Sequence, residues 1–185
     1  MADLFDIPLV PGLAHGDEFI SPAEEATLVS AIDGVALAPF RFQGWTGKRL
    51  TASFGWHYDF DKAEFGPTTP MPDFLAGLRA RAARFAGLDP AALVQALVIR
   101  YDPGAGIGWH RDRPVFEHVV GLSLGADAVL RLRQRTSAGG FARAALPLSP
   151  RSIYHLAGEV RHGWEHSIAP IAETRWSITF RSLAR

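Results

Sequence analysis

The run Trp109-His110-Arg111-Asp112 concentrates more chemistry than any other four residues of the chain. On a strand, side chains two apart share a face, so His110 and Asp112 can converge on one point. An imidazole and a carboxylate are two corners of the 2-His-1-carboxylate facial triad. That triad binds non-haem Fe(II) and leaves coordination positions open. H-x-D alone is a weak signal, and the second imidazole must come from elsewhere. The sequence holds 7 histidines: His15, His57, His110, His118, His155, His162 and His166. His118 opens an apolar run and reads as a packing or edge residue. His162 sits beside Gly163 in an expected turn. His155 alternates with Ile153 and can face a barrel interior, and His166 alternates with Trp164 and Ile168. Spacing favours His155 or His166 without deciding between them.

A second feature closes the chain: Arg175-Trp176-Ser177-Ile178-Thr179-Phe180-Arg181. An even separation places both arginines on one face of a strand, with Ser177 and Thr179 between them and Trp176, Ile178 and Phe180 on the opposite, core face. Two inward guanidiniums are costly unless paired with anions. A small dicarboxylate would satisfy them; an edge strand with both arginines in solvent is the plain alternative.

The elements that must position these groups divide unevenly along the chain. Ser21-Pro22-Ala23-Glu24 is a capping box with proline at the first helical position, opening a helix to about Ile32. Residues 41–60 are aromatic and β-prone with glycine breaks, and predict irregular strands or a hairpin. Gly66 to Pro72 is a proline-rich loop. Asp73 to Gly87 carries Leu75, Leu78, Ala82 and Phe85 at helical spacing, with Gly87 as the stop. Beyond about residue 95, short apolar runs alternate with turn signals: Leu97–Tyr101, His118–Leu124, Val129–Arg133, Ala144–Leu148, Ser152–Leu156, Trp164–Ile168 and Trp176–Ser182. Helices first and an all-β half afterwards predict an α+β, mainly β chain: a jelly roll with N-terminal helices packed on one sheet.

At 185 residues the chain is one domain's worth. Its composition, 48% hydrophobic and 21% charged, excludes a disordered chain. No apolar run is long enough to span a membrane. The acidic N-terminus does not resemble an export signal. With no cysteine, disulfides, thiolate metal sites and cysteine nucleophiles are excluded, and the cytoplasm is the simplest expectation. Net charge is zero, but residues 1–99 hold 7 basic and 12 acidic residues (net −5) and residues 100–185 hold 12 and 7 (net +5). All bases of the second half are arginine, whose planar fork suits carboxylates and phosphates.

Taken together, the segments RYDPGAGIGWHRD, VVGLSLG, LPLSPRSIYHLAGEVRHGWEHSI and RWSITFR resemble, in order and spacing, the AlkB family of Fe(II)- and 2-oxoglutarate-dependent dioxygenases. The resemblance covers about Val98 to Leu183, with residues 41–60 and the MPDFL segment fitting more loosely. It implies a double-stranded β-helix (a cupin-like jelly roll) spanning residues 1–185, with residues 1–95 forming helices and a substrate lid and 96–185 the catalytic core. Carried over by position, it makes His110, Asp112 and His166 the iron ligands, with His162 a non-ligand. Tyr101 and Arg175 fall where the family holds the distal carboxylate of 2-oxoglutarate, and Arg181 where it holds the proximal one. Ser177 takes a position that is often asparagine beside the cosubstrate. Ile99 replaces a frequent asparagine contact, and Pro114 stands where several DNA-repair members carry an acid.

The activity so implied uses Fe(II), 2-oxoglutarate and O2 to demethylate N-alkylated bases in DNA or RNA, yielding formaldehyde, succinate and CO2. A hydroxylase or demethylase of tRNA, protein or a small molecule, or a silent metal-binding jelly roll, are the alternatives. The base must be flipped out or single-stranded. Lys48, Arg49, Trp56 and Tyr58, with Trp45, Phe54 and His57 nearby, are expected to form a lid that stacks the base and touches phosphate. One of Phe54 and Trp56, which would share a strand face, is expected in the core. Arg111, Arg113, Arg131 and Arg133 are candidate backbone contacts, Arg113 lying next to the iron ligand. A monomer without membrane association is expected.

Overall fold

The computed structural model describes residues 9–42, 45–59 and 64–184; the side chains of Trp45, His57 and Tyr58 lie outside the described set. The first helix, α1 (Pro22–Asp33), starts as its capping box dictates: the Glu24 amide donates to the Ser21 hydroxyl (3.2 Å), and the Ser21 amide donates to the Glu24 carboxylate (2.8 Å). Leu28 and Ile32 form its buried stripe. A 3-10 turn (Asp73–Leu75) leads into α2 (Ala76–Phe85), which buries Leu78, Ala82 and Ala83. Gly87, at φ +68, lets the chain leave in the left-handed region. Arg81 joins the two helices through Glu24 at 2.5 Å.

The strands are β1 (Leu13–Gly16), β2 (Ala38–Phe42), β3 (Trp45–Phe54), β4 (Trp56–Asp59), β5 (Glu64–Pro67), β6 (Leu93–Tyr101), β7 (Ile107–His110), β8 (Phe116–Gly125), β9 (Ala128–Arg135), β10 (Phe141–Leu148), β11 (Ile153–Leu156), β12 (Glu165–Ile168) and β13 (Arg175–Leu183). They build two antiparallel sheets, seven strands in the order β1-β11-β8-β13-β6-β3-β2 and four in the order β10-β9-β12-β7, with β4-β5 a separate hairpin. This is the jelly roll the sequence predicts. One face of the large sheet packs Ala96, Val98, Val120, Leu122, Leu124, Ile178 and Phe180 against α1 and α2. Between the sheets, Leu130, Leu132, Leu146, Leu148, Leu156 and Ile168 form a second apolar cluster.

Several expectations change. The strand carrying Arg175 and Arg181 is central, flanked by β6 and β8, so both faces are buried and the edge-strand alternative falls. The strands expected within residues 41–60 are present as β3 and β4, and β1, β2 and β3 complete the large sheet. A short helix, α3 (Gly158–Gly163), replaces the turn expected around His162. Gly55, at φ +78, breaks the chain between β3 and β4, so Phe54 and Trp56 do not share a strand; Phe54 joins the core. His155 points away from the barrel interior. It pairs with Val120 in register and, like Ile153, faces the helix side, where its Nε2 meets Nδ1 of His118 at 3.0 Å.

Candidate functional site

His110 is the last residue of β7, and β12 pairs against that strand with His166 opposite His110. This register brings the two imidazoles to 4.2 Å between centroids. Asp112 lies two residues beyond the strand end, so the loop rather than strand alternation aims its carboxylate inward. Its Oδ1 stands 3.6 Å from His110 Nε2 and 3.8 Å from His166 Nε2, and the three donor atoms all lie within 4.8 Å of one another. Among the described residues no other group of three His, Cys, Asp or Glu side chains has metal-binding proximity.

The surroundings fix the orientation and charge of these groups. His110 Nδ1–H donates to the Gly108 carbonyl at 2.9 Å, which sets the tautomer and leaves Nε2 facing the other two donors. Burial, then the neighbouring His110, pushes the His166 imidazole down to about 3, so it is neutral. Burial alone would raise the Asp112 carboxyl, but Arg181 and the two imidazoles outweigh it and hold the group well below the usual carboxylate range. Arg181 Nε donates to Asp112 Oδ2 at 2.8 Å and its Nη1 to Gln95 Oε1 at 3.1 Å, locking the carboxylate from behind.

The floor beside the triad is polar by alternation. On β13, Arg175, Ser177, Thr179 and Arg181 are all buried, and across the ladder stand Tyr101, Ile99, Leu97 and Gln95 of β6. Arg175 is 1% exposed; Nε donates to Ser123 Oγ at 3.1 Å, its guanidinium lies 5.1 Å from the Tyr101 ring, and Nη1 has no partner. A fully buried guanidinium with an unsatisfied nitrogen is expensive and marks a place for an anion. Arg49 adds a third cation. Its guanidinium packs 4.0 Å from the Phe40 ring, its buried Nε is also unpartnered, and Tyr101, Arg181 and Asp112 are close enough to bear on its charge.

Of the other expected substrate contacts, Lys48 is exposed near Gly104, and Trp56 accepts a hydrogen bond from Gln95 at its carbonyl, 2.8 Å. Arg111 reaches the His162 carbonyl at 3.2 Å. Arg113 is half-buried on the loop after Asp112.

Three contributors escaped sequence reasoning. Tyr154 crosses the barrel interior over Gly121, where any side chain would overlap its ring; burial pushes its phenol up to about 12. Ser123 orients Arg175. Arg161, buried in α3, donates through Nη2 to the carbonyls of Arg113 (2.5 Å) and Phe116 (2.6 Å), clamping the loop that carries Asp112. No local signal distinguishes these residues from ordinary core or surface positions. A separate cleft of about 560 Å³, lined by Leu88, Ala92, Val94, His118 and Ser182 among others, lies away from the triad.

The sequence pattern of the 2OG-Fe(II) oxygenase superfamily matches residues 17–181. Among curated relatives, a tRNA (carboxymethyluridine(34)-5-O)-methyltransferase alkbh8 of Xenopus tropicalis is 30% identical over 167 residues, covering 88% of this chain and 26% of that protein. An alkylated DNA repair protein ALKBH8 homolog of Arabidopsis thaliana is 26% identical, covering 86% of this chain and 51% of that protein. The chain belongs to the AlkB family of 2OG-Fe(II) oxygenases. It spans about half or less of the length of these AlkB relatives. The solved structure of OsALKBH1 superposes with a TM-score of 0.72 at 15% identity, covering 94% of this chain and 97% of that one, which confirms the fold. Membership makes this an Fe(II)/2-oxoglutarate-dependent dioxygenase domain using Fe(II), 2-oxoglutarate and O2. The donor set of two imidazoles and a carboxylate, and the orphaned Arg175 nitrogen, fit that metal and that dicarboxylate. No helix among the described residues is long and apolar enough to cross a membrane.

Proposed function

We propose that this domain oxidatively demethylates N-alkylated nucleobases in DNA or RNA. His110, Asp112 and His166 hold the iron. Arg175 and Tyr101 hold the distal carboxylate of 2-oxoglutarate, and Ser177 and Arg181 lie along the rest of it. The convergence of the triad, with Arg181 hydrogen-bonded to Asp112 and Arg49 close enough to bear on its charge, carries this reading. When bound, Fe(II) with 2-oxoglutarate and O2 supplies oxidative decarboxylation to succinate and CO2 and hydroxylation of an N-methyl carbon, whose hydroxymethyl product releases formaldehyde.

The protein's own work is positioning and charge balance. Two arginines match the two carboxylates of the cosubstrate. Arg181 also restrains Asp112, tying the acid's orientation to cosubstrate contact. Arg49 is left over in this count, and its buried, unpartnered Nε would be satisfied by a base carbonyl or a phosphate oxygen of the substrate. In this reading Trp56 and Tyr58, the latter's side chain lying outside the described residues, would stack the base, and Lys48 and Arg113 would supply exposed and half-exposed charge. The protein so proposed is a cytoplasmic monomer acting on single-stranded or flipped bases.

A second reading, oxidation of a modified base in tRNA without demethylation, draws support from the Xenopus relative, whose name describes a tRNA enzyme. One assay separates the two. Purified protein with iron and 2-oxoglutarate is offered N-methylated DNA and RNA oligonucleotides and modified tRNA. Succinate matched by formaldehyde supports demethylation. Succinate with an oxygenated base and no formaldehyde supports the tRNA reading, and no substrate-stimulated succinate from any nucleic acid overturns both.

A further inference from the structure

The outer face of the four-stranded sheet carries a charge that the whole chain does not. On β9, Leu130 and Leu132 point into the apolar cluster, so Arg131, Arg133 and Arg135 point outward. The neighbouring strand β10 adds Phe141 and Arg143 to that face, opposite Arg135 and Arg133 in register, and β7 adds Trp109. The rings space the cations. Arg133 lies 4.3 Å from Trp109 and 4.5 Å from Phe141, Arg131 lies 5.2 Å from Trp109, Arg135 lies 5.2 Å from Phe141, and Arg143 lies 5.7 Å from Phe141. Stacking holds the planar guanidiniums in place with their N–H edges toward solvent.

The acids on this face do not balance it. Glu165 pairs with Arg133 at 2.7 Å, and Arg131 donates to the neutral Ser167 hydroxyl at 3.1 Å. Arg131, Arg135 and Arg143 have no carboxylate partner among the described residues. A chain of zero net charge has therefore gathered three uncompensated arginines and two aromatic rings on one sheet face. Alternate residues on a strand step by about 6.6 Å, so the β9 arginines form a row about 13 Å long, suited to successive phosphates of an extended strand. The face also has a route to the metal ligands. β7 is one of the two edge strands of this sheet; its Trp109 faces outward and its His110 inward.

We propose that this face binds the phosphodiester backbone of single-stranded nucleic acid and guides it over the β7 edge to the iron. The proposal deepens the nucleobase-oxidation reading and rests on it for the identity of the polyanion. The test is binding, not turnover. Fluorescence anisotropy of the iron-loaded protein uses labelled single-stranded uridine RNA and thymidine DNA of about 15 nucleotides. Between about 50 and about 200 mM salt, the wild type should weaken steeply. The variant R131Q/R135Q/R143Q should bind at least about tenfold more weakly at the low-salt end and lose about 2 from the log–log salt slope, three single-strand contacts at about 0.7 each.

The matching triple lysine variant should keep most of the slope, which a purely packing role for the arginines would not produce. An equal melting temperature confirms that each variant is folded. Equal binding by wild type and the glutamine variant overturns the proposal. So does absence of wild-type binding at low salt, or binding of polyglutamate in place of the oligonucleotides. If the glutamine variant loses binding while no base is ever oxidised, the surface stands and the proposed chemistry falls. If bases are oxidised and binding is unchanged, only the surface falls.

Discussion

Replacing Arg175 with methionine should move apo stability and cosubstrate affinity in opposite directions. In the metal- and cosubstrate-free protein Arg175 is a buried cation with one hydrogen bond to Ser123 and an orphaned Nη1. Desolvation is then poorly compensated, and an apolar side chain of similar length should leave stability unchanged or raise it by about 1 kcal/mol. With 2-oxoglutarate bound, the guanidinium meets a carboxylate in a water-poor cavity. Truncating one partner of such a pair costs about 2–5 kcal/mol, and a loss of about 2–4 kcal/mol corresponds to roughly 30- to 1,000-fold in affinity. Thermal melts with redox-silent Mn(II), titrated with 2-oxoglutarate, read both quantities at once. The wild type should be stabilised progressively by the cosubstrate, because a ligand that binds only the folded state adds RT ln(1 + [L]/Kd). The variant should start no lower and need at least about 30-fold more cosubstrate for the same shift. A variant that melts like wild type at every cosubstrate concentration would show that the carboxylate is held elsewhere, and the role given to β13 would be wrong.

Other perturbations probe the same architecture. Asp112→Ala should abolish iron-dependent turnover and the metal-induced rise in melting temperature. It should also cost about 1–3 kcal/mol because Arg181 keeps only Gln95; a retained metal shift removes Asp112 from the site. Gly121→Ala drives a methyl into the Tyr154 ring and should cost about 1–3 kcal/mol. Adding Tyr154→Ala should make the pair less damaging than the sum of the two, and simple additivity would show that the two sites are not in contact. His155 titrates at about 4 in the folded chain, lowered from 6.5 by burial and by His118. Its contribution is present above pH 6.5, falls as pH drops through the window to about 4, and is gone below it. Between pH 7 and pH 4.5 the wild type should lose about 2 kcal/mol more than His155→Gln in urea unfolding, and equal losses would place His155 in contact with water.

The sequence made the chemistry legible where residue type and parity were enough. The alternation Arg175-Ser177-Thr179-Arg181 against Trp176-Ile178-Phe180 holds in the structure, because a strand buried on both faces still has a period of two. What it could not show is which sheet a strand joins. Arg161 acts through carbonyls of Arg113 and Phe116, dozens of residues away and reached from a six-residue helix in a segment that reads as a turn. Gln95, Ser123 and Tyr154 gain meaning only from their neighbours across the ladder.

His155 and His166 make the point most sharply. Both alternate with apolar residues, and nothing local separates them. β11 enters the large sheet between β1 and β8, which turns His155 to the helices. β12 enters the small sheet between β9 and β7, which turns His166 to His110. Pairing of Glu165 with Arg133, His166 with Leu132 and Ser167 with Arg131 fixes both faces of that sheet together. A slip of one residue in β12 would swing Glu165 and Ser167 into the cavity and His166 out among the arginines. The register that brings the proposed metal ligands together thus also places Glu165 against Arg133 and leaves Arg131, Arg135 and Arg143 without a carboxylate partner outside. A β12 substitution that shifts register should therefore damage metal binding and oligonucleotide binding together, whereas one that merely removes His166 should damage only the first.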